Sequence, residues 1–227
     1  MRAGIARALL HPAAKPLLFV VALLPFAWLL YGAITNHLGA NPAEYLERSA
    51  GDWTLRFLCL TLAVTPARVI TKLPSLARFR RMLGLFTYFY VVLHFLAYSW
   101  FDMGFDAADI AKDIAKRPFI LVGFTAFVLL TPLAATSFNR AIRWLGAKRW
   151  QTLHKLVYVV AGLGILHFFW MRAAKHNFAE VAVYAAILAV LLGWRVWQYL
   201  IKRRNAGVAA RTQPAGPRVP ESRLGSR

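Results

Sequence analysis

Cysteine and acidic side chains are scarce in this chain. One of its 227 residues is a cysteine and nine are aspartate or glutamate, against 28 lysines and arginines. The single cysteine, Cys59, excludes an internal disulfide and a cysteine-based metal cluster. The formal charge of +19 would suit a nucleic-acid partner, but the cations lie in short segments between apolar runs, where they orient membrane helices and attract anionic headgroups. We therefore predict membrane lipids as partners and no nucleic acid.

Hydrophobic sequence is abundant instead. Hydrophobic residues make up 59% of the chain, and the mean hydropathy is +0.49. Soluble domains are about half apolar, whereas here the apolar residues form blocks of about 20, the length of a membrane span. We predict an all-α membrane protein, a bundle of six transmembrane helices. The predicted spans are 16–34, 53–70, 82–101, 119–135, 150–170 and 181–201.

Charge outside the spans alternates between the two sides of the membrane. The second and fourth loops contain no acidic residue, whereas eight of the nine acids lie in or beside loops 1, 3 and 5. The positive-inside rule then places both termini in the cytoplasm. We predict a six-helix membrane domain over residues 16–201. It lies between a cytoplasmic segment, 1–15, and a basic cytoplasmic tail, 202–227, whose composition predicts disorder.

Histidines occur in two of the predicted spans. His94 lies in the third span, and His154 and His167 lie in the fifth. Both spans are odd-numbered, so they cross the membrane in the same direction. At about 1.5 Å per residue, His94 and His167 lie about 20 Å from the cytoplasmic ends of their spans. Two imidazoles at matched depth can clamp a haem, so we predict haem between helices 3 and 5, held by this pair.

Only one imidazole is available near the cytoplasmic ends of these spans. His154 stands there with Arg80 opposite, and arginine is a poor metal ligand because it stays protonated. Arg80 and Arg81 are better suited to pair with haem propionates. His154 has a plainer alternative interpretation as an interfacial polar residue. Whether one haem or two are bound stays open.

Glycines in the same spans are secondary candidates. Gly84, Gly162 and Gly164 could admit a flat macrocycle or simply allow close helix packing. On an ideal helix, the spacing of His154 and His167 leaves their side chains about 140° apart, which counts against two stacked haems. The last two glycines could permit a bend that changes this angle.

Two segments at these histidines resemble a known family. They are RRMLGLFTYFYVVLH, residues 80–94, and KRWQTLHKLVYVVAGLGILHFFW, residues 148–170. Both are similar to the ferric reductase-like transmembrane domain family, which includes NADPH oxidases and ferric reductases. With NPAEYLERSAGDWTLRFLCLTLAVTPAR, residues 41–68, the chain resembles the haem-binding membrane subunits of bacterial periplasmic methionine sulfoxide reductase systems. The resemblance implies haem b, with FMN also associated, and puts His94, His154 and His167 on the family's histidine positions.

The same resemblance implies a route for electrons. Members of this group pass electrons from the respiratory quinone pool across the inner membrane to MsrP, a periplasmic molybdopterin-containing subunit that reduces methionine sulfoxide in oxidised proteins. Quinol and MsrP are therefore the expected partners, and this chain is expected to be an electron-transfer subunit rather than the catalytic one. Two alternatives stay open: a stand-alone ferric reductase-like cytochrome, and a proton or ion transporter that uses the intramembrane histidines.

Overall fold

The structure, a computed structural model, is all-helical. It describes residues 2–173 and 178–212, and within these ranges there is no β-strand. The α-helices are α1 (Arg2–Leu10), α2 (Ala14–Ile34), α3 (Pro42–Thr71), α4 (Arg80–Ala97), α5 (Ala107–Lys116), α6 (Pro118–Ala135), α7 (Asn139–Leu145), α8 (Ala147–His154), α9 (Leu156–Ala173) and α10 (Ala179–Thr212). A 3₁₀ helix, Pro74–Phe79, leads into α4, and a π-helical turn, Tyr98–Asp102, follows it.

Six helical segments are long and apolar enough to cross a membrane. They are Ala14–Ile34, Pro42–Thr71, Pro74–Asp102, Pro118–Ala135, Ala147–Ala173 and Ala179–Ala206. The prediction of an all-α bundle with six membrane helices is therefore confirmed. The cytoplasmic location of the termini stays a prediction.

Helix boundaries differ most from the prediction at α3 and α10. The α3 helix begins at Pro42 because Asn41 caps it, its side chain accepting a hydrogen bond from the Glu44 amide at 3.2 Å. The acids predicted for loop 1 therefore lie on a helix. The α10 helix continues to Thr212, so the first part of the predicted tail, 202–212, is helical. The rest of that tail lies outside the described residues.

An additional short helix, α5, follows the C-terminal end of the α4 segment. The Asp106 carboxylate caps α5 by accepting hydrogen bonds from the amides of Ala108 and Asp109 at 2.8 and 3.0 Å. The Tyr98 hydroxyl donates to Asp113 on α5 at 2.8 Å. This bond ties the predicted third loop to the end of the third span.

Aromatic packing between α3 and α4 sets the position of the α4 helix. Tyr90 is fully buried, and its ring stacks on Phe57 with centroids 5.2 Å apart. Its hydroxyl accepts from the Phe26 amide at 3.1 Å and donates to the Ala22 carbonyl at 2.8 Å. It thus bridges the ladder of α2 beside Pro25, where an insertion of this kind can bend a helix.

The chain divides into two compact units, Met1–Leu191 and Leu192–Arg227. All residues of the sites described below belong to the first unit. Within the second unit, the Arg203 guanidinium lies 5.1 Å from the centroid of the Tyr199 ring.

Candidate paired-histidine site

Two of the predicted site residues are brought together. The rings of His94 on α4 and His167 on α9 have centroids 6.1 Å apart and planes inclined by 71°. If a metal lies between two imidazoles, with each nitrogen about 2 Å from it, the ring centroids stand about 6 Å apart. The measured separation therefore suits a shared metal.

Main-chain carbonyl groups orient both rings. Nδ1 of His94 lies 2.8 Å from the carbonyl oxygen of Glu47, and Nδ1 of His167 lies 2.7 Å from that of Phe119. Because a carbonyl oxygen only accepts, each Nδ1 carries the hydrogen and donates. The tautomer that results leaves each Nε2 lone pair available for a metal, the arrangement common for metal-binding histidine.

Two glycines make room for these rings. A Cβ atom built on Gly51 of α3 would lie 3.2 Å from Nδ1 of His94, and one on Gly123 of α6 would lie 2.8 Å from Nδ1 of His167. Sequence reasoning missed both glycines, because each lies on a different span from the histidine it contacts. The only sequence signal of Gly123 is a glycine inside a span, and Gly51 falls in the predicted first loop.

The glycines chosen from the sequence have roomier surroundings. A Cβ on Gly84 would meet Thr61 at 3.6 Å, an ordinary contact, and one on Gly162 or Gly164 would meet nothing within 4 Å. The fifth span is interrupted at Lys155, between α8 and α9, rather than at its glycines.

A cavity of about 290 Å³ lies around the two histidines. Its walls are largely apolar, and its polar lining includes three arginines, each ion-paired with an acid. Arg117 pairs with Asp113 at 2.8 Å and Arg172 pairs with Glu180 at 2.6 Å. The third, Arg48, pairs with an acid one turn away. Cations in this cavity suit the anionic groups of a ligand.

The donor set fits haem better than a bare metal ion. Across the described ranges, no group of three or more histidine, cysteine, aspartate or glutamate side chains could hold a metal. A structural zinc site needs four protein ligands. A porphyrin supplies four nitrogens of its own, so two axial imidazoles complete its coordination. His94 and His167 therefore fit a haem iron.

The remaining predicted residues lie apart from this pair, towards the other end of their spans. Nδ1 of His154 donates to the Trp150 carbonyl at 3.0 Å, and the two rings are stacked 3.9 Å apart. Its buried Nε2 makes no hydrogen bond of standard geometry, and the main chain of Leu133 also acts on the ring. Arg80 is close enough to act on His154 electrostatically. Arg81 donates to Asn139 at 2.8 Å.

None of these three residues lines the paired-histidine cavity. The sequence expectation that Arg80 or Arg81 pairs with haem propionates therefore concerns the His154 end of the spans. At the His94–His167 cavity, Arg48, Arg117 and Arg172 are the available arginines.

Sequence comparison places the chain among known proteins. The profile of the family described as ferric reductase like transmembrane component matches residues 50–165. A protein of Polaromonas naphthalenivorans (strain CJ2), named protein-methionine-sulfoxide reductase heme-binding subunit MsrQ, is 76% identical over 203 residues, 89% of this chain and 93% of the relative. The protein of that name from Herminiimonas arsenicoxydans is 54% identical over 196 residues, 86% and 90% of the two chains.

A longer relative carries a different name. The magnetosome protein MamZ of Magnetospirillum gryphiswaldense is 46% identical over 191 residues, which are 82% of this chain but 29% of that protein. No solved structure matches the chain. The profile match over the histidine spans, together with the two nearly full-length relatives, shows that this chain belongs to the MsrQ family of ferric reductase-like transmembrane proteins.

Proposed function

We propose that the chain is the haem b electron-transfer subunit of a methionine sulfoxide reductase system. The observation that carries this proposal is the pairing of His94 and His167, with each Nδ1 bound to a carbonyl and each Nε2 left for iron. The names of the relatives, which describe heme-binding subunits of protein-methionine-sulfoxide reductase, support it.

The residues of the cavity have different proposed roles in binding haem. His94 and His167 would hold the iron, and Gly51 and Gly123 keep the rings in place. Apolar walls limit water, which influences the redox potential. Bound haem supplies one-electron redox chemistry. The cavity arginines, Arg48, Arg117 and Arg172, would balance the propionate charges.

The proposed electron path begins at quinol in the inner membrane and ends at MsrP on the periplasmic side. The predicted loops 1, 3 and 5 would face that partner, and several of their acids lie on α3 and α5. FMN is retained as a second proposed cofactor because of the family resemblance. His154, which lies near Arg80, is the proposed contact for an inner cofactor.

Reduction and reoxidation of the purified protein test the proposal. A short-chain ubiquinol should reduce the haem of the full chain in detergent, as seen by its absorption. Addition of MsrP with methionine sulfoxide should then reoxidise it. Haem and flavin are extracted and counted from the same preparation.

Each alternative gives a different result. A stand-alone ferric reductase would be reoxidised by a ferric chelate and not by MsrP with its substrate. A transporter would contain no haem, which would refute the proposal. Haem that quinol leaves oxidised would show that the proposed donor is wrong.

A further inference from the structure

Asp52 is an acidic residue of the candidate membrane helix Pro42–Thr71, although it lies just outside the span predicted from the sequence. It lies ten residues into α3, and its carboxylate forms no hydrogen bond or ion pair within the described part of the chain. Arg56 and Arg48 on the same helix, Arg172 on α9 and Glu180 on α10 act on it electrostatically. A carboxylate within a helix that can cross a membrane is costly, so such a residue is a functional candidate.

Two hollows of the structure meet at this residue. Asp52 lines the paired-histidine cavity, and it also lines a separate open groove between α2 and α3. Among the residues that line either hollow, it is the one common to both. The neighbouring Gly51 packs on the His94 ring, so the groove lies at the level of the paired histidines.

The groove has aromatic walls and a polar floor. Trp28 and Tyr31 of α2 and Tyr45 of α3 line it, and all three side chains are exposed. At the floor, the Arg56 guanidinium lies 4.5 Å from the centroid of the Trp53 ring, and its Nε donates to the Tyr184 hydroxyl at 3.0 Å. Because α2 is apolar and exposed on this face, a molecule dissolved in lipid could reach the groove sideways.

The charge of Asp52 determines which lipid-soluble molecules suit the groove. An anionic phospholipid headgroup would meet the Asp52 carboxylate, and the arginine beside it is already engaged by Trp53 and Tyr184. A neutral aromatic ring with two hydroxyl groups suits all of these groups. The aromatic side chains can pack against its face, and the carboxylate can accept a hydrogen bond from a hydroxyl.

We propose that the groove between α2 and α3 binds the headgroup of a quinol, and that Asp52 accepts a proton from it as it is oxidised. The inference rests on the proposed function, which supplies the haem at His94 and His167 as the electron acceptor. It places the arrival of electrons at the level of that pair, rather than near His154.

The reaction balances with that acceptor. A quinol becomes a quinone when its two O–H bonds break and it loses two electrons and two protons. With haem held by His94 and His167 as the acceptor, the electrons would be taken up one at a time, and two reductions of the haem would consume one quinol: QH2 + 2 Fe(III) gives Q + 2 Fe(II) + 2 H+. Asp52 takes the first proton and, once it has released this proton into the histidine cavity, takes the second.

The test compares quinol with a reductant that needs no site. The full chain with its haem is mixed with a short-chain ubiquinol in a stopped-flow instrument, and haem reduction is followed beside reduction by dithionite. Loss of a general base costs roughly 10²–10⁴-fold in rate, so we expect Asp52→Asn to slow quinol reduction at least tenfold. Reduction by dithionite should be unchanged, and Asp52→Glu should restore part of the rate.

Matched controls separate the groove from general effects. Trp28→Ala should also slow quinol reduction, whereas Trp144→Ala, at a tryptophan that is 83% exposed and outside the groove, should not. Asp109→Asn controls for removal of an exposed carboxylate. If Asp52→Asn and Trp28→Ala are both reduced by quinol at the wild-type rate, the proposed quinol site in the groove is wrong, while the proposed function stands. If quinol fails to reduce the wild-type haem, the donor itself is wrong, and this site with it.

A labelling experiment on the wild-type protein tests the groove even if the variants fail to bind haem. A photoreactive azido-ubiquinone is activated on the wild-type protein, and the labelled peptides are sequenced by mass spectrometry. Labels on α2 and α3 that excess ubiquinol competes away support the groove. Labels confined to the peptide around His154, or labels on α2 and α3 displaced by phosphatidylglycerol but not by ubiquinol, would overturn it.

Discussion

The two ends of the fifth membrane segment present histidine in different ways. At one end, His167 faces His94 across 6.1 Å, and both rings are held by carbonyl groups and fitted against glycines. At the other end, His154 has no second imidazole. Its ring stacks on Trp150, and its charged neighbour is Arg80.

The His94–His167 end therefore offers both axial ligands for a haem iron, whereas the His154 end offers only one. Two neutral imidazoles with free Nε2 atoms can bind iron without adding charge to the membrane interior. One imidazole beside a guanidinium cannot complete the same coordination, because arginine does not release its proton.

Loss of either paired histidine should have the largest effect on haem binding. In His94→Ala or His167→Ala, one axial ligand is gone, so we expect nearly all of the haem bound at this pair to be lost. Haem per polypeptide, measured by the pyridine haemochrome spectrum, gives the result. Retention of wild-type haem content in both variants would refute the paired site.

Glycine substitution should have the next largest effect. Gly123→Ala adds a Cβ at 2.8 Å from His167 Nδ1, so it must displace the ring and weaken its bond to Phe119. Because loss of such an orienting bond typically costs 10–100-fold in metal affinity, we expect roughly tenfold weaker haem binding. Gly51→Ala, where the contact is 3.2 Å, should have a smaller effect.

Gly162→Ala is the matched control for this series. It adds the same atom on α9, where nothing lies within 4 Å, and should bind haem normally. Haem titration of the three apo-proteins gives the order of affinities. Equal affinities for all three would mean that the ring positions do not depend on these glycines.

His154→Ala should leave the haem at His94 and His167 bound. We expect the absorption that disappears in His94→Ala to persist here, because His154 does not line the paired-histidine cavity. The difference in haem count from wild type then reports directly whether a second haem depends on His154. Loss of all haem would show that the two ends of the segment form one site.

Removal of an arginine should give the smallest effect. Arg172→Leu takes a cation from the paired-histidine cavity, and since a nearby cation favours the reduced iron, the midpoint potential should fall by tens of millivolts. Arg81→Leu should leave that potential unchanged. A larger shift in Arg81→Leu would favour the sequence-based expectation for the propionates. Spectroelectrochemical titration measures both.

The sequence by itself determined the six apolar spans and the spans on which the histidines lie. Both follow from local properties, since about 20 consecutive apolar residues suffice for a span and helical rise converts position into depth. The same reasoning matched His94 with His167, which are neighbours in the structure. It misjudged the start of α3, where the Asn41 cap extends the helix into a segment predicted as a loop.

Only the tertiary structure decided what surrounds the histidines. The carbonyl groups of Glu47 and Phe119 carry no side-chain signature, and each lies more than 40 residues from the ring that it orients. Gly51 and Gly123 acquire their meaning only from rings on other helices. The sequence predicted Asp52 to be a loop residue. In the structure it lines both the cavity and the groove, and the groove exists only because α2 and α3 pack side by side. Packing between distant segments creates these contacts, so no local pattern predicts them.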